Sequence, residues 1–592
     1  MNRAIHVTHE AVQKIGGIGA VINGLCTSDR YKESYESTLL YGPLFDYGES
    51  AGSKLGRDGE VFYSGHDNFD MDNYHAIFEK IEERYGVDIV YGKRRLVNEF
   101  NSNKSNLVDT VLVGVKNVDG KKLAAFKFIL WEKFGIQSDL YPEWDYEQYL
   151  RIALPYLDII TGLYGDAAVY HHFAHEYMGV PAGLAVLVGY SGGEAKGNPE
   201  QKKHRTIFYA HEISPCRNVV ENSPGHDMSF YNLLYSNRKV GKSFEDQYGS
   251  QRSNYRAELV KRTREFDYIF AVSDLVKDEY NYFIPDSGAG NSEDEASDRV
   301  RVVYNGISIK RISGEEKLGA RKLLQEYVEN LFNFTPDVII THVTRLVLSK
   351  GIWRDITLLY MLDELFHRYR VKGAYILLST LVGSGRPPSD VVKMEREYGW
   401  PIIHREGWPD LVGYEKEIYD QLSLFNARSK SIKGVFLNQF GFDRRRCGER
   451  VPEGASFLDL RMGSDVELGF SIYEPFGIAQ LETIPFGGIA ALSSSCGSSF
   501  LLKKSFGRAS IKHYCIADFT GEAGKQKDEV ANITTEERFE LEKKVLKKTA
   551  EELFNMIPKA DADRLKLLSS AAELAENLGW EKIVEDIRLS EL

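Results

Sequence analysis

The stretch SIYEPFGIAQLETIPFGG, Ser471 to Gly488, holds two glutamates, Glu474 and Glu482, with seven residues between them. A Pro and a Gly follow the first, and apolar residues surround the second. The pattern predicts a helix from Gly477 to about Phe486. The free amides at such a helix start form a phosphate site. Glu474, just outside it, can accept hydrogen bonds from sugar hydroxyls. Glu482, about two turns on, can bind a ribose diol. A solvated helix with acidic residues near its start is the ordinary alternative, and the flanking EPFG and PFGG weigh against it.

Other stretches bear on the same chemistry. In VTRLVLSKG, Arg345 and Lys350 follow an apolar strand. Cations at the C-terminal end of a parallel strand stand where open α/β sheets bind ligands, and they can neutralise a departing diphosphate without a metal. A lone Arg/Lys pair is more often a solvated face. QKIGGIGAVINGL, directly after the first strand, places Gly16 and Gly17 in a turn whose amides can meet an anion. A dinucleotide reading is weak there, because the third glycine of that motif falls on Ile22.

YHHFAHEYMG holds His171, His172 and His175, and YAHEISPCR holds His211 and Glu212 at another strand end. His171 and His175 are four apart, but a strand ending near Phe173 removes the helical spacing a metal would need, and no further ligand set is evident. The Asp-x-Asp triplets Asp70–Asp72 and Asp561–Asp563 follow no convincing strand and read as solvated surface. Arg444–Arg446 can hold an anionic effector, although a solvated loop is the simpler reading. No metal and no cofactor are expected.

These groups need elements to position them. Apolar runs at Ala4–His9, Ser37–Gly42, Ala167–Phe173, Thr206–Glu212, Tyr268–Ser273 and Val300–Gly306 predict strands covered on both faces, hence a parallel sheet. A helix near Glu315–Leu331 precedes a second series: DVIITHV, Ala374–Gly383, Pro401–His404, Lys433–Asn438 and Ile489–Ser495. Two such series predict two Rossmann-like domains with a cleft between them. The polar stretches Ser191–Arg205 and Pro285–Arg299 read as mobile loops. The expected boundaries are 1–315, 316–545 and 546–592, the last a group of charged helices.

The chain has 592 residues, too many for one core, and a formal net charge of −12. That charge disfavours nucleic acid and anionic membrane as general partners. The five scattered cysteines include no CxxC pair, which suits a reducing compartment. No signal segment or apolar run long enough for a membrane span is present, so a cytoplasmic protein is expected.

In this order the motifs resemble the retaining glycosyltransferases of the GT-B fold, above all the glycogen and starch synthase group. KIGGIGAV looks like that group's Lys-x-Gly-Gly loop. AHEY is similar to its His-Glu-Trp segment, with Tyr177 in place of Trp. AHEISPCR, AVSDLVKDEY, VVYNGI, the Arg-x4-Lys-Gly of Arg345–Gly351, and EPFG complete the set. LGWEKIVEDI resembles the terminal helix that crosses back to the first domain.

The resemblance implies roles. His211, Arg345, Lys350 and Glu474 would be catalytic. Lys14, Gly16, Gly17, Phe476, Gly477, Ile478 and Glu482 would bind the donor. His175, Glu176 and Arg217 would lie on the acceptor side. Glu482 and AHEY favour the UDP-glucose-using type. The expected partners are a nucleotide sugar and a glucan or other glycan acceptor, and a homo-oligomer is compatible with this. Transfer of another sugar to a small acceptor, and a non-catalytic sugar-nucleotide-binding protein, are the alternatives.

Overall fold

The computed structural model describes residues 2–12, 16–45, 47–48, 50–165, 167–197, 203–285, 299–381, 385–398, 411, 413–507, 509–525, 527–589 and 592. Lys14 and the strand expected at Pro401–His404 lie outside the described residues, as do parts of the two loops expected at Ser191–Arg205 and Pro285–Arg299.

The chain forms two compact units. Unit 1 comprises Met1–Arg217, Arg238–Ser308 and Trp580–Leu592, and unit 2 comprises Asn218–Asn237 and Ile309–Gly579. The division therefore differs from 1–315/316–545/546–592 in two ways. The segment Asn218–Asn237 belongs with the second unit, and of the terminal helices only the last, Trp580–Ile587, belongs with the first.

Unit 1 is built on β1 (Asn2–Val7), β2 (Ser37–Leu44), β3 (Gly59–Ser64), β4 (Phe69–Asp70), β5 (Ile89–Val97), β6 (Ser105–Gly114), β7 (Val169–His175), a small hairpin β8 (Tyr190–Ser191) and β9 (Glu194–Ala195), β10 (His204–Ala210), β11 (Tyr268–Ala271) and β12 (Val300–Val302). Apart from the hairpin these form one sheet in the order β12-β11-β10-β7-β1-β2-β6-β5-β3-β4. It is parallel from β12 to β6 and antiparallel over β5, β3 and β4.

Unit 2 carries β13 (Val338–Arg345), β14 (Gly373–Thr380), β15 (Ile432–Leu437), β16 (Val466–Gly469), β17 (Ile489–Ser493) and β18 (Tyr514–Ala517), in the order β15-β14-β13-β16-β17-β18, all parallel. The fold class is α/β, with a doubly wound sheet in each unit. Every residue of β14 is buried, as a parallel strand covered on both faces requires.

Each sheet has one place where the chain's path divides. In unit 1, β2 lies on one side of β1 and β7 on the other. In unit 2, β14 and β15 lie on one side of β13, while β16, β17 and β18 lie on the other. Loops leaving adjacent strands at such a point diverge and leave a crevice at the strands' C-terminal ends, where α/β sheets bind ligands.

Candidate functional site

In unit 2 the loops that leave β13 and β16 at the division point carry Lys350 and Glu474. Lys350 closes a short 3-10 turn, Leu348–Lys350. The next residue, Gly351, has φ +61°, and a Cβ there would lie 2.5 Å from the carbonyl oxygen of Phe470. Only glycine meets both conditions. The two loops are then tied together: the Ser349 carbonyl accepts from the amides of Ile472 (2.8 Å) and Tyr473 (3.3 Å). Two residues on, the Glu474 carboxylate pairs with the Lys350 ammonium. Arg345 ends β13 with its side chain exposed, and it has no ion pair or side-chain hydrogen bond among the described residues.

A buried charge cluster holds this arrangement from below. Arg354, in the helix Ile352–Tyr369, is wholly buried. It pairs with Asp227 (2.7 Å) and Glu542 (2.8 Å) and donates to the carbonyls of Phe470 and Ser471, each at 3.4 Å. The Ser495 hydroxyl lies 2.9 Å from both Asp227 and the Ser471 carbonyl, with one proton to give to either. One guanidinium between two carboxylates satisfies charges that would each be costly alone, and the loop leading to Glu474 hangs from it.

The helix expected over 477–486 is absent. Two 3-10 turns, Ala479–Leu481 and Ile484–Phe486, stand in its place. Gly477 (φ +90°) and Gly487 (φ +77°) bracket the segment in left-handed backbone, and Pro485 has no amide to continue a helical ladder. The macrodipole argument for a phosphate site there falls with the helix. Glu482 is held by Arg461, which donates to it at 2.7 and 3.0 Å and pairs through its other nitrogen with buried Glu467 at 2.9 Å. All three contacts from Arg461 to these glutamates use one oxygen of each, so Glu482 keeps a second oxygen for a ligand. Phe476 is buried, and its carbonyl accepts from the Ser498 amide (2.7 Å); Ile478 precedes the first 3-10 turn.

In unit 1 the loop after β1 leads to Gly16, which caps the helix Gly17–Thr27. A Cβ at Gly17 would meet nothing within 4 Å, so that face is open. The Gly19 amide, however, already donates to Glu10 at 2.8 Å. The anion cradle expected of this loop is thus partly filled by a carboxylate of the protein.

His175 ends β7, and Glu176 follows with φ +56°. This left-handed residue turns its buried carboxylate onto the amides of His211 and Glu212. Burial, and then the nearby Glu212, push the Glu176 carboxyl well above the usual range. Arg217 pairs with Glu212 at 3.0 Å. Glu176 therefore braces the turn that carries His211. His211 bonds to His175 (2.9 Å) and His175 to His6 (2.8 Å).

The remaining candidates have other uses. His171 bonds to Tyr35, and His172 to Tyr156 and His204. Asp70 accepts from the amides of Tyr74 and His75 at a helix start, and Asp561 pairs with Arg564. Arg444–Arg446 form an exposed turn, where Arg446 pairs with Asp443. Among the described residues no group of three or more His, Cys, Asp or Glu is placed to hold a metal ion, and no helix is long and apolar enough to cross a membrane.

The sequence matches no family profile and no curated protein. Solved structures do overlay it loosely along its full length. One, described as "Trehalose-6-phosphate from E. coli bound with UDP-2-fluoro glucose", is 14% identical with TM-score 0.48, covering 100% of this chain and 99% of that one. The UDP-forming α,α-trehalose-phosphate synthase of Burkholderia vietnamiensis is 12% identical with TM-score 0.48 and full coverage of both chains. The corresponding Burkholderia xenovorans enzyme in complex with glucose-6-phosphate is 12% identical with TM-score 0.49, covering 100% and 99%. Overlays this loose decide neither substrate nor site.

Proposed function

We propose that this chain is a metal-independent, retaining GT-B glycosyltransferase. It moves glucose from a nucleoside-diphosphate glucose, UDP-glucose by preference, to an α-glucan, in the manner of the glycogen synthases. The observation that carries the reading is the Lys350–Glu474 pair at the division point of the unit 2 sheet, with Arg345 exposed at the end of the same strand.

Without donor, Lys350 and Glu474 neutralise each other. An incoming diphosphate offers Lys350 a second anion, and Arg345 supplies a second cation. Glu474 is then released to accept from sugar hydroxyls, which become stronger donors as the ring gains positive charge. The free oxygen of Glu482 takes the ribose diol. His211 contacts the donor sugar, as the resemblance implies, and the leaving phosphate oxygen takes the acceptor's proton on the same face.

The test is a donor-by-acceptor screen following release of nucleoside diphosphate. Donors are UDP-glucose, ADP-glucose and UDP-N-acetylglucosamine; acceptors are glycogen, malto-oligosaccharides, glucose and glucose 6-phosphate. The reading predicts UDP release that rises with glycogen or malto-oligosaccharide. A rise only with glucose 6-phosphate would keep the transferase and replace the acceptor. Donor binding without turnover under every pairing would make the chain a sugar-nucleotide-binding protein instead.

A further inference from the structure

Five side chains of unit 1 form one hydrogen-bonded line. His211 Nε2 meets His175 Nδ1 at 2.9 Å, His175 Nε2 meets His6 Nδ1 at 2.8 Å, and His6 Nε2 meets the Tyr31 hydroxyl at 2.9 Å. The Tyr31 hydroxyl meets Thr38 Oγ1 at 3.1 Å. The Cys26 thiol also lies against that hydroxyl. His175, His6 and Tyr31 are wholly buried, whereas His211 is partly exposed. The other ring nitrogen of His211, Nδ1, has no hydrogen-bond partner among the described residues.

Burial holds all three imidazoles neutral. Burial pushes His6 down to about 3; burial first and neighbouring histidines second push His211 to about 3 and His175 well below the usual range. A neutral imidazole has one N–H and one bare nitrogen. Each link in the line holds one proton, so a choice at one end fixes every ring. If Tyr31 donates to His6, then His6 donates through Nδ1, His175 donates through Nδ1, and His211 receives at Nε2. His211 must then carry its proton on Nδ1. If Tyr31 accepts, every ring reverses and His211 presents a bare Nδ1.

The end group decides between the two. A phenol is a stronger donor than an imidazole N–H, and an imidazole nitrogen is a stronger acceptor than a phenol oxygen. The Tyr31 oxygen can still accept from Thr38 and Cys26. Donation from Tyr31 to His6 is therefore the better arrangement.

We infer that Tyr31, acting through His6 and His175, is a positioning residue that sets the tautomer of His211, so that His211 presents an Nδ1–H donor to an oxygen of its ligand. The tautomer follows from the geometry of the line and the donor strength of its end group, and from nothing about the ligand. That the ligand oxygen belongs to a donor sugar rests on the function proposed above.

The test is solid-state NMR of the full chain labelled with ring-15N histidine, with His211 assigned by its loss in His211→Asn. In the unsubstituted protein, His211 should show a protonated Nδ1 and a bare Nε2. A bare Nδ1 would overturn the inference without any variant. In Tyr31→Phe the ratio of the two tautomers should fall by about five- to tenfold, the scale of one lost hydrogen bond between good partners. An unchanged His211 spectrum in folded Tyr31→Phe would remove Tyr31 from the role. Neither readout needs substrate, so a failed tautomer assignment and a failed transferase assay are separate results.

Discussion

At the scale of single residues, Glu474 and Glu482 differ in what holds them. Glu474 is itself buried and faces Lys350, whereas Glu482 is partly exposed and is gripped by buried Arg461. In the proposed reaction, Glu474→Gln should lower kcat, because contacts from Glu474 to the sugar would strengthen as charge develops there. Glu482→Gln should raise KM with kcat nearly unchanged, since ribose contacts are shared by ground and transition states. It should also cost about 1–3 kcal/mol of stability by weakening a charge-assisted bond to a buried guanidinium. Steady-state kinetics with urea unfolding check both; a fall in kcat for Glu482→Gln with KM unmoved would exchange the two roles. The candidate residues drew attention in the sequence because chemistry-bearing types sit beside Gly and Pro. Arg461 and Arg354 did not, because they act across the fold. Arg461 lies 21 residues from Glu482, and Arg354 lies 188 from Glu542. No local spacing signals such pairs.

At the scale of elements, the apolar runs of β1, β2, β7, β10, β11, β13, β14, β15 and β17 were legible, because strands buried on both faces need them. Strands β5 and β6 were not: Lys93, Arg94 and Arg95 interrupt the first, and Asp109, held by Tyr91 and Tyr164, interrupts the second. Strand β16 hides for the same reason, since Glu467 sits in its four residues and is satisfied by Arg461. The helix expected over 477–486 failed because apolar periodicity ignores Pro485 and the left-handed glycines.

Gly351→Ala combines φ +61° with a 2.5 Å approach to the Phe470 carbonyl. It should cost at least about 1–3 kcal/mol and part the two loops that place Lys350 and Glu474. A lower Tm together with lost turnover is expected, and an unchanged Tm would contradict the tie. Lys317, buried against the Ser464 carbonyl at 2.9 Å, is pushed down to about 8 by burial, against the opposing pull of Asp465. Below pH 8 both folded and unfolded states hold its proton, and the folded state carries the penalty. Between about 8 and the usual lysine value near 10.5, only the unfolded chain holds it, so this site's contribution to stability rises with pH. Relative to Lys317→Met, the unsubstituted protein should gain on the order of 3 kcal/mol across that window, read by urea unfolding. Parallel stability curves would remove the assignment.

At the scale of the molecule, two doubly wound units and a last helix returning to the first were legible, and the finer boundaries were not. Trp580 shows what that return achieves within unit 1. A Cβ on Gly24 would lie 1.9 Å from its indole nitrogen, and one on Gly306 would lie 2.8 Å from its ring. The indole fills the space that two glycines leave open, and Glu581 beside it accepts from the Asp29 and Arg30 amides. Trp580→Ala should cost about 3–5 kcal/mol, seen as a lower Tm; a change within error would mean that the C-terminal segment contributes little to unit 1.

In the proposed reaction Arg345, Lys350 and Glu474 form a diphosphate-leaving site that needs no metal. The most direct measurement is UDP release from UDP-glucose at saturating donor, in EDTA, for the unsubstituted protein, Arg345→Ala and Lys350→Ala. Full turnover in EDTA is expected for the first and a loss of ~10²–10³ for each variant. Turnover abolished by EDTA and restored by magnesium or manganese, or near-normal turnover in both variants, would contradict it.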